Sequence, residues 1–167
     1  MIAVGRAVDL APWADIVYAA DAAWWHSVGN LPGRAGVKVC LQEDVVFRDV
    51  RLLRHRRVFG LDPEPGFVAT GAGNSGHQAI NLAAQLGAKT IILLGFDMKA
   101  AADGRLHFFG RHPAGLNNPD ELLFAAWRAA ATTIPPDAAA MGTEVVNCSR
   151  ETALDCFPRM TLDEALG

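Results

Sequence analysis

The chain of 167 residues is 51% hydrophobic and 20% charged, which is typical of a globular domain and excludes a disordered segment. Its formal net charge of -3 gives no whole-chain indication of nucleic acid binding, although a local basic patch can be hidden in such a sum. Three cysteines without metal-ligand spacing, no signal peptide and no apolar run long enough for a bilayer predict a cytoplasmic protein without a membrane partner.

The first part of the chain predicts three buried strands, at residues 1–4, 16–20 and 37–41. Asp21 follows the second strand and precedes a short helix. As the N-cap of that helix, it would contribute about 1 kcal/mol to stability. The carboxyl end of a strand is also where open α/β sheets bind their ligands. The sequence therefore leaves a capping role and a ligand contact open for Asp21.

Two tryptophans, Trp24 and Trp25, are adjacent in the helix that follows Asp21. Neighbouring residues on a helix point in different directions, so both are not expected to face one core. At least one of them is predicted to line a groove, a partner surface or a bound ring.

A basic segment follows, with five arginines and His55 between residues 48 and 57. Arg51 and Arg54 share a face if this segment is helical, and such a face could bind a polyanion or an acidic partner. The segment is more typical of a solvated face. A further strand is predicted to start at Val58.

The central stretch, residues 67–98, predicts a strand, a turn, an amphipathic helix and a second buried strand. Asn74 and Ser75 are good N-cap residues, and the first N–H groups of a helix can bind an anion or a nucleotide. A tight turn that only packs a helix on a sheet remains the alternative, because the pattern fits neither the dinucleotide fingerprint nor the P-loop. Three glycines allow close approach of the backbone to a ligand: Gly71, Gly73 and Gly76.

The second buried strand of this stretch closes at Asp97, another carboxylate at a strand end. The loop after it, residues 99–113, is predicted to be a lid or a substrate loop. A strong helix is predicted at 121–132, a helical turn at 138–141 and a last strand at 143–147. Thr161 and Glu164 form the pattern of a capping box.

These elements predict a single Rossmann-like α/β domain. Its mostly parallel sheet has about five strands, with helices on both faces.

Several segments together resemble the bacterial CMP-sialic-acid-dependent sialyltransferases and the related family of archaeal 6-hydroxymethylpterin diphosphokinases. The resemblance is greatest to phage-associated members of that clan. It spans nearly the whole chain and includes the core V-A-T-G-A-G-N-S-G-H-Q-A-I-N-L-A-A-Q-L-G-A-K-T-I-I-L-L-G-F-D-M. The further matching segments are Ser75-Gly76, Leu86 to Asp97, His107 to His112 and Asn147 to Ser149.

The resemblance implies a site for a nucleotide or nucleotide-sugar as substrate. A histidine would be the general base that activates an acceptor hydroxyl, with His112 as the nearest match and His107 second. A histidine suits this role because its ordinary pKa lies near neutrality. The resemblance further implies that this chain lacks the first strand and phosphate loop of its relatives. The residues implied in nucleotide contact are Asn74, Ser75, Gly76, Asn147 and Ser149; Asp21, Asp97, Gly71 and Gly73 complete the predicted site.

Two classes of function follow as expectations. The first is a nucleotide-dependent transferase, glycosyltransferase-like or, as a variant, transferring a diphosphate from ATP. The second is a non-catalytic module of phage origin that binds a nucleotide or another protein through the two tryptophans and the basic segment. No certain cofactor and no metal site are predicted, and a homo-oligomer remains open.

Overall fold

The computed structural model describes residues 1–167 as eight short strands, five helices and one 3₁₀ helix. The strands are β1 (Ile2–Val4), β2 (Ile16–Tyr18), β3 (Val37–Cys40), β4 (Val50–Leu52), β5 (Arg54–Arg56), β6 (Phe67–Ala69), β7 (Thr90–Leu93) and β8 (Glu144–Asn147). The helices are α1 (Ala22–Ser27), α2 (Ser75–Gln85), α3 (Glu121–Ala131), α4 (Ile134–Ala140) and α5 (Leu162–Leu166), and the 3₁₀ helix spans Gly5–Asp9. None of the helices has both the length and the apolar character that crossing a membrane requires.

Every strand pairing in the protein is parallel. One sheet has four strands in the order β1-β2-β3-β4, and two smaller sheets pair β5 with β6 and β7 with β8. The prediction of an α/β fold with a parallel sheet is confirmed. The strands are shorter and more numerous than the five expected, because the pairing is divided among three sheets.

The basic segment forms strands β4 and β5, so a helix over these residues is excluded and the predicted strand at Val58 was wrong. Leu53, between the two strands, donates its N–H to Cys40 O at 3.0 Å, and Arg54 donates to Gly66 O at 3.1 Å. Consecutive N–H groups of an extended chain point to opposite sides, so residues 50–56 connect β3 to β6. The side chains of β5 are all exposed, which explains why the apolar pattern failed to indicate a strand there.

Helices cover both faces of the four-stranded sheet, as predicted. Val17 and Tyr18 are neighbours on β2 and therefore point to opposite faces. Val17 belongs to a buried cluster with Trp25 of α1. Tyr18 belongs to a different cluster, with Ala79 and Leu82 of α2.

Trp24 and Trp25 are both buried, so the prediction that one of them lines a surface was wrong. Their rings meet edge to face with centroids 4.9 Å apart. The Trp25 indole N–H donates to Ala19 O at 3.1 Å. The Trp24 indole nitrogen lies 3.8 Å from where a Cβ on Gly5 would stand. The helix α1 is thus enclosed on more than one side, which lets two adjacent side chains both reach the interior.

Helix ends follow the predicted capping. Asn74 accepts a hydrogen bond from His77 N at 3.1 Å, and Thr161 and Glu164 form the complete capping box. Helix α4 begins at Ile134 instead of residue 138, because prolines are tolerated in the first turn, where the N–H has no intrahelical partner.

One buried carboxamide, on Asn81 of α2, connects the helix to two other segments. Its oxygen accepts from Asp62 N at 2.9 Å and from Ala69 N at 2.8 Å. Its nitrogen donates to Asp62 O at 2.9 Å. Asn81 is fully buried, so these backbone groups have no water to replace the carboxamide.

Replacing Asn81 with Ala should leave two backbone N–H groups buried without an acceptor. We expect Asn81→Ala to lower the free energy of unfolding by about 2–4 kcal/mol, because each orphaned group costs its desolvation energy. Urea unfolding measures this loss. The matched control is Asn117→Ala, at an exposed loop position whose side chain makes no hydrogen bond. Equal stability of the two variants would contradict the role of the Asn81 network.

Candidate functional site

The turn between β6 and α2 presents free backbone N–H groups. Asn74 caps the helix, and its side chain takes the N–H of His77. The N–H groups of Ser75 and Gly76 have no acceptor within the protein. They lie at the positive end of an eleven-residue helix, where anions are stabilised. A ligand at this turn would meet these two N–H groups.

Each of the three glycines in this turn is required, or tolerated, for a different structural reason. A Cβ on Gly71 would stand 2.5 Å from Val58 O, and one on Gly76 would stand 2.7 Å from the Phe96 ring. Gly73 has φ of +62° and open space around it. Internal packing therefore accounts for Gly71 and Gly76, and only Gly73 leaves room for a ligand to approach the backbone.

Asp21 occupies the N-cap position of α1 but makes no capping hydrogen bond. Gln42, which follows β3, accepts the N–H of Ala22 at 2.8 Å. The Gln42 amide also donates to the Asp21 carboxylate at 3.4 Å. The Asp21 carboxylate accepts no N–H from the first turn of α1, so it is available for another contact. Of the two roles that the sequence left open, capping by the side chain is excluded.

Three aromatic rings of the loop after β7 form a compact cluster. His107 stacks on Phe109 with ring centroids 4.9 Å apart. His112 meets His107 edge to face at 4.6 Å and Phe109 at 4.9 Å. The backbone of His112 is held by Asn118, whose Oδ1 accepts from His112 N at 2.8 Å and whose Nδ2 donates to His112 O at 3.2 Å.

The two histidines of this cluster differ in their surroundings. Burial, together with neighbouring His112, lowers the pKa of His107 to about 4. The Nε2 atom of His107 is buried without a hydrogen-bond partner. His107 is therefore a neutral packing residue near pH 7. Burial and the Arg6 guanidinium lower the pKa of His112, and the Asp21 carboxylate opposes this shift.

Asp21 and His112 are thus close enough to influence each other's charge, although no hydrogen bond joins them. Burial raises the pKa of Asp21, and His112 acts in the opposite direction. The negative charge of a nearby carboxylate favours the protonated form of the imidazole. Arg6, whose guanidinium lies 5.4 Å from the Phe109 ring centroid, adds a positive charge to the same region.

A buried hydrogen bond connects this region to the start of α2. Tyr18, at the end of β2, donates its hydroxyl to Gln78 Oε1 at 3.0 Å. Asp21 follows Tyr18 by one short turn, and Gln78 follows the free N–H groups of Ser75 and Gly76. The carboxylate and the helix start therefore share the edge at which the parallel strands end.

Asn147, Ser149 and Asp97 form a separate group at the ends of β7 and β8. Asn147 Oδ1 accepts from Ser149 N at 3.0 Å, and Ser149 Oγ accepts from Phe96 N at 2.8 Å. Both side chains are buried, so they support Phe96 beneath the α2 turn. Asp97 as a whole residue is exposed. Partial burial of its carboxylate and the negative charge of Glu151 raise the pKa of Asp97.

The predicted site residues thus fall into two groups. Asp21 and His112 influence each other's charge, and Tyr18, near Asp21 in the chain, is bonded to Gln78 of α2. Asn147 and Ser149 form the other group and support Phe96, which packs against Gly76. Two cavities, of about 550 and 560 Å³, border these groups. The first is lined by Gln42 and continues toward β4 and β6. The second lies between β1 and β7 and is lined in part by Phe96.

Three residues of the site were not found from the sequence: Arg6, Gln42 and Asn118. Gln42 follows a buried strand, as Asp21 does, so the rule that identified Asp21 would have found it too. Arg6 also follows a strand but lies in a 3₁₀ turn that the sequence did not indicate. No sequence pattern indicated Asn118, because its role depends on a turn that brings its side chain back to the main chain of His112.

No protein-family model matches the chain, and no curated protein or solved structure is significantly similar to it.

The charges around His112 predict opposite effects of two substitutions on its pKa. Asp21→Asn removes the carboxylate that raises this pKa, so the pKa should fall further. Arg6→Gln removes a positive charge, so the pKa should rise. Titration of the His112 ring protons by NMR measures both changes. Shifts in the same direction, or none, would contradict the placement of His112 between these two charges.

A second titration concerns His77, in the first turn of α2. Burial lowers its pKa from 6.5 to about 4. In the unfolded chain His77 therefore binds a proton near pH 6.5, whereas in the folded protein its side chain stays neutral down to about pH 4. The free energy of unfolding consequently falls as the pH decreases from 6.5 toward 4. We expect this group to account for roughly 2–3 kcal/mol of that loss.

The test compares the free energy of unfolding between pH 7 and pH 4 in the parent protein, in His77→Gln and in His55→Gln. The His77 variant should lose much of the dependence on pH. The His55 variant changes an exposed side chain on β5 and should retain it. Parallel curves for all three proteins would show that His77 does not titrate as described.

Proposed function

We propose that the protein is a nucleotide-dependent transferase, glycosyltransferase-like in its chemistry, with His112 as general base. The observation that carries the proposal is the electrostatic pairing of His112 with Asp21, which follows β2 at the edge where the parallel strands end. The start of α2, with its free N–H groups, is linked to the end of β2 by the Tyr18–Gln78 hydrogen bond. The resemblance to sialyltransferase-like proteins agrees with this assignment.

The donor would bind with its phosphate at the α2 turn. The unpartnered N–H groups of Ser75 and Gly76 and the open side of Gly73 supply the contacts. The helix terminus contributes only about 0.3–1 kcal/mol at an exposed site. Additional positive charge is needed to stabilise the leaving phosphate. Arg6 is the candidate, because its guanidinium is the one whose charge affects the pKa of His112.

The transfer would proceed by attack of an acceptor hydroxyl on the anomeric carbon of the donor sugar. The new carbon–oxygen bond forms as the bond to the nucleotide phosphate breaks, and the hydroxyl proton passes to His112. Asp21 stabilises the resulting imidazolium by its charge. Asn118 positions the base by holding its main chain. His107, neutral and stacked on Phe109, forms the apolar wall of this region.

A second candidate is a nucleotide-binding module without catalysis. The sialyltransferases that the chain resembles use tyrosines at the leaving phosphate, and the single tyrosine here does not supply one. Tyr18 is fully buried and its hydroxyl is bonded to Gln78. A module of this kind would retain binding at the α2 turn without turnover.

The decisive experiment separates binding from turnover. Calorimetry with CMP-, UDP- and GDP-sugars and with ATP measures binding, and chromatography of the nucleotide products measures transfer or hydrolysis. We expect His112→Gln to lower turnover by about 10²–10⁴ with unchanged nucleotide affinity, as removal of a general base does. Ser75→Glu should abolish binding, because its carboxylate occupies the space at the free N–H groups and repels the phosphate.

The control for Ser75→Glu is Ala125→Glu, at an exposed position of α3. Binding without turnover in the parent protein would favour the second candidate. Binding that survives Ser75→Glu, or turnover that survives His112→Gln, would contradict the proposed site.

A further inference from the structure

Strands β1 and β7 are both at the edge of their sheets, and each has one side without a partner strand. β1 pairs only with β2, and β7 pairs only with β8. In the first ladder, Met1 O accepts from Ile16 N. The polar groups of successive residues point to opposite sides of a strand. Ile2 and Val4 therefore direct their N–H groups away from β2.

The same argument applies to β7. Lys89 O accepts from Glu144 N, and Leu93 O accepts from Cys148 N, so alternate residues starting at Lys89 face β8. The residues between them, Thr90 and Ile92, direct their N–H groups away from β8.

Both free edges border one groove, which we call the interstrand groove. Residues of β1, including Ile2 and Val4, line one side, and the whole of β7 lines the other. Ala79, Ile80 and Ala83 of α2 lie between them. The groove has a volume of about 560 Å³, and 13 of its 16 lining residues are hydrophobic.

A β-strand is the occupant that this combination fits. Backbone N–H and C=O groups beside apolar surface need hydrogen-bond partners, and a row of them on a strand edge is a template for another strand. The interstrand groove has two such rows. A folded second copy of this protein would present one edge at a time and could pair with one row only. A single extended peptide has donors and acceptors on both of its edges and could pair with both rows.

The lining also specifies the side chains of such a strand. Ala79 and Ala83 are small and leave space above α2. Alternate residues of an inserted strand would point toward that helix, so these residues would be large and apolar, such as Val and Ile.

We propose that the interstrand groove binds an extended peptide segment of another protein, which adds a strand between β1 and β7 and directs apolar side chains toward α2. The inference is independent of the proposed transferase function, because the α2 turn and His112 do not line this groove.

The test uses a fluorescein-labelled peptide of the sequence Lys-Ser-Ile-Thr-Val-Thr-Ile-Ser-Lys and fluorescence anisotropy. We expect saturable binding in the micromolar range, corresponding to about −8 kcal/mol. A control peptide that is N-methylated at its central Val keeps every side chain and loses one N–H donor. It should bind roughly two- to tenfold more weakly, because one ladder hydrogen bond is lost.

Two variants locate the binding. Ala83→Trp places an indole in the interstrand groove and should weaken binding by about tenfold or more. The matched control, Ala125→Trp, adds the same side chain at an exposed position of α3 and should leave binding unchanged. Hydrogen exchange of the parent protein gives a second readout that needs no substitution. The N–H groups of Val4 and Ile92 should exchange faster than those of Ala3 and Ile91, and the peptide should slow them.

Absence of binding, equal binding of the two peptides, or loss of binding in Ala125→Trp would overturn the proposal. Exchange at Val4 and Ile92 that the peptide leaves unchanged would also overturn it. Light scattering of the purified protein provides the remaining check. A dimer that Ala83→Trp dissociates would identify a second copy as the occupant and would likewise overturn the proposal.

Discussion

The structure depends on the burial of α2 and on the polar side chains by which that helix is attached. Asn81 connects it to the segment before β6 and to the end of that strand. Gln85 donates to Asp62 O at 2.8 Å and to Phe67 O. Gln78 accepts from Tyr18 of β2. Each of these contacts replaces the water that a polar group loses on burial. Because a shift of α2 would break several of them at once, they fix its position relative to the strands.

This attachment determines where the candidate site lies. The Tyr18 contact brings the end of β2, and with it Asp21, to the first turn of α2. Ser149 supports Phe96, whose ring packs against Gly76 from the other side. The α2 turn is therefore held between two strand ends that belong to different sheets. A ligand at this turn would contact one group with free charge and one group whose polar atoms are already hydrogen-bonded.

Much of the fold could be predicted because its buried elements have clear patterns. The continuous apolar run of β7, the caps of α2 and α5 and the parallel α/β class all follow from residue type and spacing. β5 could not be predicted in this way, because its three exposed side chains carry no apolar pattern and its position depends on backbone hydrogen bonds. Trp24 and Trp25 were misjudged because spacing on a helix does not reveal that a short helix is enclosed on several sides. The candidate site was predictable where carboxylates follow strands, as at Asp21, and unpredictable where a distant loop residue such as Asn118 fixes the main chain.

The hold of Asn118 on His112 has a mechanical consequence. Its carboxamide occupies both the N–H and the C=O of His112 and makes no hydrogen bond to the imidazole. The main chain is thereby fixed independently of the ring. The direction of the imidazole depends instead on its packing against His107 and Phe109. A change in either of these two rings would therefore turn the imidazole without displacing the loop that carries it.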